Sequence, residues 1–150
     1  MQVLIYIIYL VVLLLLQNHL PFKVDLLLLF LISTTLWDYK LRALLSGFGG
    51  GLVLDCLAGF GFVSTLGKTL GAVLANLLRV YVTLEKYPFA FLLVIILTPA
   101  VFLVEAAALN LFYHFPLRFW PLLVELLKLM LFNLLFMPLI YWVFQKSFGE

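Results

Sequence analysis

Apolar residues fill most of the chain, and short polar or proline-containing stretches interrupt them at regular intervals. The interruptions leave apolar segments at about residues 3–20, 24–36, 43–62, 66–84, 88–112 and 121–144, and the second predicted helix covers residues 22–36. A helix that crosses the hydrocarbon core of a bilayer needs about 20 residues, so the pattern predicts six transmembrane helices. The second segment is short, and we expect that its helix extends back toward Pro21 or that its neighbours shield one end.

Composition places the chain far from soluble domains of similar length. Of its 150 residues, 67% are hydrophobic and 11% charged, and the mean hydropathy is +1.25. We therefore expect an all-α integral membrane protein with a single transmembrane domain over residues 1–150 and no soluble catalytic domain. The formal net charge of +2 comes from dispersed residues, which does not indicate binding to nucleic acid.

The cations between the segments predict the orientation of the chain in the membrane. With six spans, both termini and two of the connections lie on one side. Five cations fall on that side, namely Lys40, Arg42, Arg79, Lys86 and Lys146, and three on the other, namely Lys23, Lys68 and Arg118. Cytoplasmic loops carry the excess of Lys and Arg, so we expect both termini to be cytoplasmic.

The segment 47–59 places a carboxylate among glycines. Gly47, Gly51, Asp55 and Gly59 are four residues apart, so on a helix they share one face. The next segment repeats the spacing with Gly67 and Gly71. Small residues let transmembrane helices approach closely, and the pattern therefore predicts a tightly packed antiparallel pair formed by the third and fourth helices.

Five charged residues at membrane depth concentrate in the outer half of the predicted bundle: Asp55, Lys68, Glu105, Glu125 and Lys128. Such residues are costly in hydrocarbon and need a partner or a wet cavity. Glu125 and Lys128 are three apart and can pair on one helix. Asp55 needs a cation such as Lys68 or Lys128, a hydrogen-bonding group or a proton. The cluster is either a lock between helices, which we favour, or a ligand cavity.

Residues that could support catalysis or metal binding lack the necessary neighbours. Ser64 has no nucleophile-elbow glycines around it. His19 and His114 are isolated, and Cys56 is the only cysteine, so a metal site is not expected. An acid dyad of Asp55 and Glu105 lacks a second motif-bearing aspartate at membrane depth. We expect a protein without enzymatic activity, metal or cofactor.

Two motifs resemble those of the MreD family of rod shape-determining membrane proteins. The stretch 47–67 contains Gly-Leu-Val-Leu-Asp-Cys-Leu-Ala-Gly around Asp55, and it is similar to the family's Gly-Leu-x-x-Asp-x-x-x-Gly. Asp25 and the leucines after it resemble the Pro-Asp and leucine run that opens the family's second span, with Val24 in place of the proline. The motifs lie in the first half of the chain, and the second half agrees in length and hydropathy.

The resemblance implies a six-helix bundle similar to the substrate-binding S components of energy-coupling-factor transporters. It further implies a scaffold of the bacterial cell-elongation complex in the inner membrane, bound to the bitopic protein MreC and indirectly to MreB, RodA and the elongation transpeptidase. One alternative is a vitamin-binding S component that uses the outer polar cluster. Another is the handling of lipids or lipid-linked precursors in a groove near Glu105, Arg118 and Lys128.

Overall fold

A computed structural model describes residues 2–21, 23–37, 40–81 and 86–148. All regular structure in these residues is helical, which confirms the all-α prediction. The helices are α1 (Gln2–His19), α2 (Leu26–Leu36), α3 (Lys40–Ala58), α4 (Val63–Tyr81), α5 (Lys86–Tyr113) and α6 (Phe119–Phe148). Residue 22, where the second helix was predicted to begin, and residues 82–84, where the fourth was predicted to end, lie outside the described residues.

Three of the described helices are long and apolar enough to cross a membrane, fewer than the six predicted spans. They are Lys40–Ala58, Pro88–Tyr113 and Phe119–Phe148, whereas Val3–His19 and Leu26–Leu36 are apolar but shorter. Large apolar side chains also cover the outside of the bundle, for example Leu4, Leu111 and Leu135. An apolar exterior of this extent is typical of a surface that contacts lipid or protein, so the fold is consistent with a membrane protein.

Helix α2 forms the centre of the bundle. All 11 of its residues are buried, and it packs against each of the other five helices. It begins at Leu26, later than the predicted residue 22, because Asp25 caps its N-terminus. At 1.5 Å per residue, α2 rises only about 16 Å, and the surrounding helices shield it along its whole length.

Glycines of α3 lie against the backbone of α4. A methyl group on Gly51 would lie 2.6 Å from Thr65 Cα, and one on Gly47 would lie 2.9 Å from the carbonyl oxygen of Lys68. The two helices therefore approach more closely than any larger residue allows. This close contact agrees with the predicted role of Gly47 and Gly51.

The other glycines predicted to share these helix faces, Gly59, Gly67 and Gly71, have other roles. Gly59 lies beyond the end of α3, not on its packing face, and has a positive φ of 73° with no atom near its missing Cβ. Gly67 and Gly71 face α5 instead of α3: methyl groups there would lie 2.5 Å from Glu105 Cγ and 2.8 Å from Val101 Cγ2. Glycines of α3 thus pack against α4, and glycines of α4 pack against α5. The small residues join three helices because those of α4 lie on more than one of its faces.

Gly51 and Gly49 provide a matched test of this packing. Gly51→Ala places its Cβ against the α4 backbone and should destabilise the protein by about 1–3 kcal/mol, as overpacking does. A methyl group on Gly49 would have no atom within 4 Å, so Gly49→Ala should leave stability unchanged or raise it slightly, since alanine favours helix. Thermal unfolding in detergent measures both. Equal stability of the two variants would contradict the close α3–α4 contact.

Candidate functional site

The ammonium of Lys68 lies inside the bundle between two carboxylates. The residue is only 2% exposed, and its Nζ lies 2.7 Å from Asp25 Oδ2 and 2.5 Å from Glu105 Oε1. Asp25 precedes α2, Lys68 lies in the second turn of α4 and Glu105 in the second half of α5. One cation therefore joins three helices, and we call Asp25, Lys68 and Glu105 the buried ion triad.

Asp25 connects the buried ion triad to the rest of the core. Its Oδ1 accepts a hydrogen bond from the backbone N–H of Leu28 at 3.0 Å, which caps α2. Its own backbone N–H donates to Asn133 Oδ1 at 2.8 Å, and Asn133 Nδ2 donates to Thr98 Oγ1 at 3.1 Å. Through these bonds α5 and α6 are tied to the start of α2.

Asp55 caps α4 instead of pairing with a cation. Its carboxylate accepts hydrogen bonds from the backbone N–H groups of Ser64 at 2.7 Å and Thr65 at 2.9 Å, and from the Thr65 hydroxyl at 2.7 Å. The first N–H groups of a helix have no partner within the helix and carry a partial positive charge. Neither Lys68 nor Lys128 forms an ion pair with Asp55, because Lys68 binds Asp25 and Glu105 and Lys128 binds Glu125.

Glu125 and Lys128 form a separate, exposed group. Glu125 Oε2 lies 2.6 Å from Lys23 Nζ, and its Oε1 lies 3.6 Å from Lys128 Nζ. The side chains of Lys23 and Lys128 are 73% and 59% exposed, so these pairs contribute little to stability at an aqueous surface. The five charged residues grouped by the sequence therefore divide into the buried ion triad, the cap at Asp55 and this exposed group.

A cavity of about 430 Å³ opens beside the buried ion triad. Its polar lining comes from four parts of the chain and includes Gln17, Lys23, Asp25, Ser64, Lys68 and Glu105. Among the described residues, no group of three His, Cys, Asp or Glu side chains is placed to hold a metal ion. Asp25, Lys68 and Glu105 bind one another, and Gln17, Lys23 and Ser64 bind other groups of the protein, which is the chemistry of a lock between helices.

Sequence reasoning did not identify Asp25 as the partner of Lys68. It singled out Asp25 only as a residue of the family motif. Its position directly before an apolar helical run is a typical N-cap signal, so the capping role could be read from the sequence. The pairing with Lys68 could not, because it joins residues 43 positions apart on different helices.

Comparison with protein-family models, with curated proteins and with solved structures finds no match to this chain. The function is therefore inferred from the geometry of the described residues and from the motifs around Asp25 and Asp55.

Removing the charge of Lys68 should destabilise the bundle strongly. Lys68→Met leaves two carboxylates without their cation, and breaking a buried ion pair in this way costs about 3–5 kcal/mol. Adding Asp25→Asn and Glu105→Gln to Lys68→Met should restore most of the stability, since the triad then buries no charge and Asn still caps a helix.

Lys128→Met is the matched control, because Lys128 is paired but exposed. Its effect should remain within about 1 kcal/mol. Unfolding in detergent, followed by intrinsic fluorescence, measures all three proteins. A Lys68→Met variant as stable as Lys128→Met would show that the triad does not hold the helices together.

Proposed function

We propose that the chain is a non-enzymatic scaffold of the bacterial cell-elongation complex, of the MreD type, which binds MreC and supports peptidoglycan synthesis and cell shape. The observation that supports this most is the use of the motif carboxylates. Asp25 caps α2 and binds Lys68, and Asp55 caps α4. Both are engaged in fixing helices, which suits a protein that acts by presenting a rigid shape.

The proposal includes a six-span arrangement in the inner membrane with cytoplasmic termini. Helices α1, α3 and α5 finish, and α2, α4 and α6 begin, at one end of the bundle, which we call the polar end. The buried ion triad, the Asp55 cap and the Lys23–Glu125 pair all lie near it. The excess of Lys and Arg in the terminal turns of the helices at the opposite end favours the cytoplasm for that end, so the polar end faces outward.

MreC is the proposed direct partner, and MreB, RodA and the elongation transpeptidase are bound indirectly through the complex. A bitopic protein offers one transmembrane helix, and α1 presents a continuous apolar face to it. Ile5, Ile8, Val12 and Leu15 lie three or four residues apart on α1 and are each about half exposed. Apolar side chains at this spacing form one stripe along a helix, as a helix partner requires.

A second candidate is a vitamin-binding S component of an energy-coupling-factor transporter. The observation that favours it is the cavity of about 430 Å³ beside the buried ion triad, which falls within the size range of small-molecule sites. Native mass spectrometry of gently extracted protein separates the two functions. A retained vitamin supports the transporter, and its absence together with bound MreC supports the scaffold.

Co-purification with MreC from the same genome tests the scaffold directly. The wild-type chain should elute with MreC after affinity purification in mild detergent. Gly51→Leu and Asp55→Ala should reduce the yield of MreC, because they separate α3 from α4 and leave the N-terminus of α4 uncapped. Gly49→Leu is the control and should retain MreC, because the space around Gly49 is open.

Two results would count against the scaffold. One is a folded wild-type chain that elutes without MreC. The other is recovery of MreC at the wild-type yield with both Gly51→Leu and Asp55→Ala.

A further inference from the structure

A groove of about 340 Å³ runs between α5 and α6 at the polar end. Its apolar lining consists of Phe102, Ala106, Leu109, Pro116, Pro121 and Leu122. Its charged lining consists of Lys23, Glu105, Arg118 and Glu125. A smaller groove of about 290 Å³ adjoins it, shares Lys23 and Glu125, and adds Lys128. Apolar and charged surfaces therefore meet at one end of the bundle.

The charges at the mouth of the groove are unbalanced. Lys23 and Lys128 share a single carboxylate, that of Glu125. Glu105 is bound by Lys68 from inside the bundle. Arg118 is exposed, and none of the ion pairs among the described residues includes it. Lys23, Lys128 and Arg118 carry three positive charges, against one negative charge on Glu125 and a net charge of −1 on the buried ion triad. The mouth therefore has a net charge of +1, which favours an anion.

The surroundings of the groove indicate what kind of anion fits. Phe119 and Trp120 follow Arg118 at the start of α6 and are 71% and 72% exposed. Aromatic residues of this kind are typical of the membrane–water interface. An anion at the mouth therefore lies at the depth of lipid headgroups, and the apolar lining below it lies at the depth of acyl chains.

We propose that this groove binds one anionic phospholipid. Its phosphate lies at the mouth among Arg118, Lys128 and Lys23, and one acyl chain follows the apolar lining past Ala106. The proposal requires a chain that spans the membrane and does not depend on MreC or on the scaffold function.

Lipid exchange followed by native mass spectrometry tests the proposal with the wild-type chain. The protein is reconstituted in nanodiscs of phosphatidylcholine with phosphatidylglycerol as the minor component, and then released. One molecule of phosphatidylglycerol should remain bound, and phosphatidylcholine should be lost. Retention of both lipids in proportion to their abundance would overturn the proposal, and this result needs no variant.

Paired charge variants identify the site. Arg118→Gln with Lys128→Gln should weaken phosphatidylglycerol binding about thirtyfold, because each basic residue near an anionic lipid contributes about fivefold. Lys40→Gln with Lys146→Gln removes the same charge from exposed residues at the opposite end and should leave binding unchanged. Equal binding by the two double variants would contradict the assignment.

Two neighbouring alanines test the acyl-chain part of the groove. Ala106 is buried and lines it, whereas Ala107 is exposed outside it. Ala106→Phe should displace the bound lipid, and Ala107→Phe should retain it. Glycerol phosphate, which has the headgroup charge but no chains, should fail to compete, and competition at the affinity of the lipid would contradict acyl-chain binding.

Discussion

The pairing of one buried ammonium with two carboxylates is the constraint on which the rest of the bundle depends. An unpaired charge inside an apolar bundle is costly, and Lys68 is only 2% exposed, so it requires Asp25 and Glu105 close by. These contacts hold three segments next to one another: the start of α2, the second turn of α4 and the second half of α5. Gly67 makes it sterically feasible, because any side chain there would collide with Glu105.

The same constraint explains the short central helix. Irregular backbone at membrane depth is tolerated only where protein or water satisfies its polar groups. The backbone at the start of α2 meets this condition: Asn133 accepts from the Asp25 N–H, and Gln17 accepts from the Leu27 N–H at 3.0 Å. Asp55 does the same for α4. Asp25 and Asp55 therefore each cap the N-terminus of one helix. The glycines of α3 let the N-terminus of α4 approach closely enough to bind Asp55.

Much of this fold followed from periodicity and hydropathy, because helix positions depend on local sequence. The all-helical architecture and the close α3–α4 contact at Gly51 are examples. Contacts between distant helices could not be read in the same way. The spacing of Gly67 and Gly71 indicates a packing face but not whether α3 or α5 covers it, and the charge of Lys68 does not indicate which acid it meets. Gly59 fitted the four-residue spacing by position alone, whereas its backbone conformation ends the helix.

The interior is packed, and the carboxylates of both motifs bind helix N-termini. This favours a protein that acts through its surface, which is the basis of the proposed scaffold.

The bundle depends most on the contact of Lys68 with the carboxylates of Asp25 and Glu105. Solid-state NMR in bilayers, with ¹⁵N on lysine Nζ and ¹³C on the carboxyl carbons, measures this contact. We predict dipolar couplings from Lys68 to both Asp25 and Glu105. Coupling to neither carboxylate, or to Glu105 alone, would contradict the account.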